Sequence, residues 1–203
     1  MSRIIAGAAG GLALRSVPGE GTRPTTDRTK EAMFSWLSSR GWLDGTAVAD
    51  LYAGSGALGL EALSRGADSV TLVERDRRAA TVCSANARTV AAALGVQPPR
   101  VVSRSVDQVL DEVLSAGNSA DAARGSGPWD LILADPPYPL QDPELTGTLE
   151  RIVQCLVSDG LLVLERSSRT PEPAWPAGLE PVETRTYGET VLYYCQRSVG
   201  SAA

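Results

Sequence analysis

The chain has 203 residues, 43 % of them hydrophobic, enough for one sizeable core with a small appendage. It contains no histidine, which removes the commonest general base and metal ligand and favours group transfer by positioning over hydrolysis by a triad or zinc. Net charge is −5, yet the first 40 residues carry six basic against three acidic side chains and the rest thirteen against twenty-one, so phosphates could be met on one face only.

Met1 to Gly7 holds too few apolar residues for a signal-peptide core, and no run of about 18 apolar residues follows, so a cytoplasmic protein with no membrane partner is expected. Residues 2–17 read as two short extended pieces broken by Gly7, Gly10 and Gly11, a β-hairpin outside the main sheet. Thr26 or Asp27 caps a predicted helix to about Gly41, with Ala32, Met33, Trp36 and Leu37 at helical spacing. From Thr46 onward, short runs rich in Val, Leu and Ile (48–52, 70–73, 100–103, 131–134 and 161–165) alternate with helical stretches, among them 58–65, 77–94 and 145–156. Repeated strand and helix units imply a parallel sheet covered on both faces, with ligands at the carboxyl ends of its strands. Ser115 to Pro128 reads as a flexible loop, and 181–187 with 190–196 flank Gly188-Glu189 as a terminal antiparallel hairpin. Cys83, Cys155 and Cys195 are an odd number at wide spacing, which excludes a zinc knuckle and reads as three reduced, buried thiols.

The first strand of the alternating part runs through Asp50 and Tyr52 into Gly54-Ser55-Gly56-Ala57-Leu58-Gly59 and then a helix. Glycines here let the backbone turn tightly and approach a ligand at the helix N-terminus. Gly54, Gly56 and Gly59 also match a dinucleotide fingerprint, with Glu74 at the end of the next strand placed to accept ribose hydroxyls of either NAD or S-adenosyl-L-methionine. Asp50 tilts the balance toward the latter, because an acid there can meet the cationic end of a bound amino acid, directly or through water. Near the third strand, Arg104-Ser105-Val106-Asp107 occupies the place where an adenine is held.

After the fourth strand comes Asp135-Pro136-Pro137-Tyr138. An exocyclic amine of a base is a poor nucleophile because its lone pair is delocalised into the ring. Two acceptors off the base plane, the Asp135 carboxylate and the Pro136 carbonyl, would draw the amino hydrogens out of plane and aim the lone pair at a methyl carbon. The prolines make the turn rigid, and Tyr138 supplies a face on which an extruded base stacks. No metal or covalent intermediate is needed, since a sulfonium is already a good leaving group.

The chain resembles the bacterial 16S rRNA guanine-N2 methyltransferases of the RsmD type. The resemblance is carried by Arg3-Ile4-Ile5-Ala6-Gly7, Thr22 to Arg28 running into Glu31-Ala32-Met33-Phe34, Asp50 to Gly56, Asp135 to Tyr138, Gly160 to Glu165 and Tyr187-Gly188-Glu189-Thr190. It implies an α/β fold of the class I S-adenosylmethionine-dependent methyltransferases: a Rossmann-like, seven-stranded, mostly parallel sheet with a terminal antiparallel hairpin. Residues 1–21 would be an N-terminal hairpin extension, 22–198 the catalytic domain and 199–203 a disordered tail.

The cofactor implied is S-adenosyl-L-methionine, bound by Asp50, Tyr52, Gly54, Ser55, Gly56, Leu58, Gly59, Glu74, Arg75, Ser105, Val106 and Thr25. The target implied is N2 of a guanine in 16S rRNA, within an assembling small subunit, contacted by Arg3, Arg15, Arg23, Asp27 and Arg28 of a monomer. One departure is Gly10-Gly11-Leu12, where family members carry a further basic residue, which weakens the expected hairpin contacts to phosphate. The residues alone leave rivals. A DNA methyltransferase acting on adenine N6 or cytosine N4 would use the same tetrapeptide, though a typical one brings a larger sequence-reading domain. Methylation at cytosine C5 needs a cysteine nucleophile, and none sits in the catalytic turn. An NAD-dependent oxidoreductase fits the glycine loop but leaves Asp135 to Tyr138 unexplained.

Overall fold

Apolar side chains alternate along each central strand and so fill both faces of one sheet. Val48, Leu131, Leu133, Leu161 and Val163 point to one core, and Ala49, Leu51, Ile132, Leu162 and Leu164 to the other. The computed structural model describes residues 2–18, 27–116, 127–137 and 142–198. In chain order the elements are β1 (Ser2–Arg3), β2 (Ala13–Leu14), α1 (Asp27–Ser39), β3 (Ala47–Leu51), α2 (Ala57–Ser64), β4 (Ser69–Val73), α3 (Arg77–Leu94), β5 (Arg100–Val102), α4 (Val106–Ala116), β6 (Trp129–Ala134), α5 (Asp142–Cys155), β7 (Leu156–Ser167), β8 (Leu179–Tyr187) and β9 (Thr190–Arg197). The seven-stranded sheet has the order β5-β4-β3-β6-β7-β9-β8. β3 to β7 run parallel to one another, whereas β9 is antiparallel to both β7 and β8.

One face carries α1, α2, α3 and the N-terminal hairpin, through Met33, Phe34, Leu37, Leu60, Cys83, Val90, Ile4 and Leu14. The other carries α4 and α5, through Val109, Leu110, Leu149 and Ile152. The three thiols are buried and free, as expected. Among the described residues no helix is long and apolar enough to cross a membrane.

The N-terminal hairpin pairs only Ser2 with Leu14 and Arg3 with Ala13. Its stability comes from its seat on α2. Glu61, fully buried, accepts the Ile5 and Ala6 amides at 2.7 and 3.0 Å and pairs with Lys30 Nζ at 3.6 Å and Arg65 Nε at 2.8 Å. Ser64 continues the contact, with its carbonyl accepting from the Ala8 amide and its hydroxyl bonding Ala6 and Ala9. Gly7 allows that approach, since a Cβ there would lie 2.0 Å from the Ser64 carbonyl oxygen.

Two segments differ from the sequence expectation. α4 occupies the stretch after Arg104, and Ser115, expected in a loop, belongs to its last turn. Ser105 and Gln108 form a reciprocal pair there, the Ser105 hydroxyl accepting from the Gln108 amide at 3.3 Å and the Gln108 side chain accepting from the Ser105 amide at 3.2 Å. Such a capping box opens a helix. β7 begins at Leu156, earlier than the expected Leu161, but its pairing with β6 shifts after Trp129 and becomes regular only from Leu161. Asp159, at φ 62°, lies in that irregular start. The expected tail from 199 onward lies outside the described residues.

Candidate active site

The strand order reverses direction beside β3. β3, β4 and β5 step one way, and the chain then crosses through α4 to place β6 and β7 on the other side. In sheets of this kind ligands bind beyond the carboxyl ends of the strands where the winding reverses, here β3 and β6. The glycine loop and Asp135 follow those two strands directly. Far apart in the sequence, they leave adjacent strand ends, since Leu51 pairs with Ala134.

The loop is held by side chains from its surroundings. Tyr52 leaves β3 at φ 78°, an uncommon conformation for a non-glycine residue, with its amide and that of Ala53 bonded to the Val73 carbonyl. Gly54 and Gly56 follow at φ 53° and 85°. The Gly54 amide donates to Glu74 at 2.9 Å, the Ser55 carbonyl accepts from Asn86 at 2.9 Å, and the Gly56 amide bonds the Ala53 carbonyl at 2.6 Å. Gly59 is tightly enclosed: a Cβ there would lie 2.4 Å from Leu72 Cδ2 and 3.0 Å from Asp50 Cβ. Leu58 is half-buried against the α2-side core, and Ser55 is half-buried.

Asp50 is 1 % exposed, and its Oδ2 accepts from the Gly59 amide at 2.8 Å. It therefore binds a free N–H in the first turn of α2 across the glycine loop, in addition to any role toward a ligand. Burial first, and then the Glu74 carboxylate, push the Asp50 carboxyl up to about 7, against the Gly59 hydrogen bond. Glu74 spends its oxygens on the Gly54 and Asp76 amides, at 2.9 and 2.7 Å. Burial, and then Asp107, push the Tyr52 phenol to about 12, while Thr148 on α5 opposes the shift. Arg75 is exposed, while Ser105 is bonded into the capping box and Val106 is packed beneath α4. Thr25 lies outside the described residues.

Asp135 directly follows β6, with Pro136 buried and Pro137 exposed; Tyr138 lies outside the described residues. Asp135 keeps exposed surface, yet the surrounding protein, then Glu165, then Asp50 hold its proton well above the usual carboxylate range. The register explains the second influence. Ala134 pairs with Leu164, which brings the next residues, Asp135 and the buried Glu165, to the same end of adjacent strands. Glu165 and Asn86 are the members that sequence reasoning missed. Asn86 had a signal, a polar residue among Cys83, Ala87 and Val90 on the buried stripe of α3.

Of the candidate RNA contacts, Arg3 and Asp27 face one another as an exposed ion pair at 3.4 Å. Arg15 and Arg28 are exposed, and Arg23 lies outside the described residues. These side chains lie on the hairpin, the segment after it and the start of α1.

The family described as conserved hypothetical protein 95 matches residues 2–196. The ribosomal RNA small subunit methyltransferase D of Escherichia coli (strain K12) is 31 % identical over 201 residues, which cover 96 % of this chain and 89 % of that protein. A solved hypothetical protein of Thermus thermophilus is similar with a TM-score of 0.75 at 31 % identity, over 96 % of this chain and 98 % of its own. The magnesium protoporphyrin IX methyltransferase of Synechocystis PCC 6803, solved with bound S-adenosylmethionine, is similar in fold alone, with a TM-score of 0.61 at 16 % identity over 84 % of this chain and 79 % of its own. The fold is that of the class I methyltransferases.

Proposed function

Because the chain belongs to the family described as conserved hypothetical protein 95, we propose that it is an S-adenosyl-L-methionine-dependent methyltransferase that modifies N2 of a guanine in 16S rRNA, acting as a monomer on an assembling small subunit in the cytoplasm. The observation that carries this reading is Asp135 at the end of β6, beside the strand end from which the glycine loop leaves β3.

The residues present suit the cofactor. Glycines leave the loop backbone approachable, and Asp50, Glu74, Asp135 and Glu165 gather carboxylates at these strand ends, to which a cationic ligand would be drawn. When bound, the sulfonium supplies an electrophilic methyl group with its leaving group built in. Glu74 is the residue to accept ribose hydroxyls. Asp50 holds the first turn of α2 and adds negative charge behind the loop. Asp135 and the Pro136 carbonyl accept the two amino hydrogens of the base, which directs the nitrogen lone pair toward the methyl group. Tyr138 stacks on the extruded base, and Arg3, Arg15, Arg23, Asp27 and Arg28 contact the RNA around it.

The test is incubation of the full chain with labelled cofactor and, separately, hypomethylated small subunits, free rRNA or duplex DNA, followed by nucleoside analysis. Label in N2-methylguanosine from the ribosomal substrates is expected. Label found only in N6-methyladenine or a methylated cytosine would overturn the target.

A further inference from the structure

Asn86 is 2 % exposed on the sheet-facing stripe of α3. A polar side chain at such a place is costly unless its groups are bonded. Its Oδ1 accepts from the Arg15 amide at 2.9 Å, and its Nδ2 donates to the Arg15 carbonyl at 3.0 Å and to the Ser55 carbonyl at 2.9 Å. Toward Arg15 the side chain acts as a paired strand would, exchanging both hydrogen bonds with one residue. Its remaining donor reaches the middle of the glycine loop.

Those two anchor points belong to segments with separate tasks. Arg15 directly follows β2 and leads toward the segment that precedes α1. Ser55 sits between two glycines at positive φ. Its loop is fixed by the Gly54 amide donating to Glu74, the Gly56 amide donating to the Ala53 carbonyl and Asn86 donating to the Ser55 carbonyl, beside close packing of Gly56 and Gly59 against Cys83, Leu60 and Leu72. Both Glu74 oxygens are already engaged by backbone amides, and ribose hydroxyls would compete for them. The Asn86 bond to Ser55 depends on neither.

We propose that Asn86 is a positioning residue that couples the RNA-contacting N-terminal arm to the cofactor loop, so that a ligand on either segment organises the other. This rests on the methyltransferase reading above. Coupling of this kind is reciprocal: what RNA does to cofactor affinity, cofactor does to RNA affinity.

The test is titration calorimetry of S-adenosylhomocysteine with the full chain, with and without hypomethylated 16S rRNA, alongside thermal unfolding. Asn86→Ala removes all three hydrogen bonds. Asn86→Asp keeps the shape and the acceptor for the Arg15 amide but loses both donors. Val90→Ala, on the same buried stripe, lacks any polar role and controls for simple loss of stability. Both Asn86 variants are expected to bind S-adenosylhomocysteine about tenfold more weakly, in keeping with the loss of the buried hydrogen bond to the Ser55 carbonyl. RNA is expected to tighten binding in the wild type and not in the Asn86 variants. Val90→Ala should melt earlier yet keep wild-type affinity and the RNA effect.

Wild-type affinity in both Asn86 variants overturns the proposal, as does a full RNA effect in either, no RNA effect in the wild type, or an equal loss in Val90→Ala. A wild-type chain that binds no S-adenosylhomocysteine overturns the methyltransferase reading itself, a result distinct from these.

Discussion

Asp135 accepts the hydrogens of an amino group fully only as a carboxylate, and desolvation by the surrounding protein, then Glu165 and Asp50, hold its proton above the usual range although it keeps exposed surface. The methylation rate is therefore expected to fall as pH is lowered through that raised value. Asp135→Asn should remove this acid limb, because an amide oxygen accepts at every pH. Asp135→Ala should lower kcat by about 10²- to 10³-fold, the scale for losing one transition-state contact, while S-adenosylhomocysteine affinity stays within a few-fold by calorimetry. For Asp50 the consequence is one of stability. Its folded value of about 7 lies above the ordinary 3.8, so the folded chain holds a proton that the unfolded chain releases. That contribution is complete below about pH 4 and is lost as pH rises to about 7. Asp50→Asn keeps an acceptor for the Gly59 amide without the charge. It should flatten the pH dependence of Tm over that window and stabilise the free protein at pH 8 by on the order of a few kcal/mol. Asp135 and the glycines were legible in the sequence because each motif is a contiguous string whose chemistry demands those residue types. The partner of Asp50 was not, since the amide it binds lies on the far side of the loop. Glu165 acquires its neighbour only through the pairing of β6 with β7.

At the scale of elements, α3 matched its expected bounds of Arg77 to Leu94, because Asp76 caps its start, accepting from the Arg78 and Ala79 amides, and Gly95 ends it at φ 70°. α4 carries equally local signals, Ser105 with Gln108 and the spacing of Val106, Val109 and Leu110. The early start of β7 could not be read from composition, since Val157, Ser158 and Asp159 are exposed or half-buried and their pairing is irregular. The N-terminal hairpin was legible as a hairpin, but its docking was not. Its seat depends on a carboxylate in α2 that meets two backbone amides, Lys30 and Arg65 at once. Burial lowers the Lys30 pKa, and Glu61 opposes that shift. Glu61→Ala leaves the two cations facing each other without their shared partner, and should cost about 3–5 kcal/mol in denaturant unfolding. Limited proteolysis should then release residues before α1 first.

Across the whole molecule, the basic residues proposed to meet RNA are few and lie toward the N-terminus of a chain with net charge −5. Arg3, Arg15, Arg23 and Arg28 allow at most four phosphate contacts. Since each contact to single-stranded RNA contributes about −0.7 to the slope of log affinity against log salt, a slope no steeper than about −3 is expected. A steeper slope in a filter-binding titration would show that further cations contact the RNA. The way the hairpin is seated also bears on how the chain is made. Residues Ser2 to Leu14 leave the ribosome before Glu61 and Ser64, which receive them and are synthesised only after β3 and the glycine loop. Until then Ile4 and Leu14 lack the α2 and α3 part of the apolar core in which they are buried. A nascent chain stalled before α2 should therefore expose these residues to a chaperone, and one stalled beyond α3, with Asn86 also in hand, should shield them.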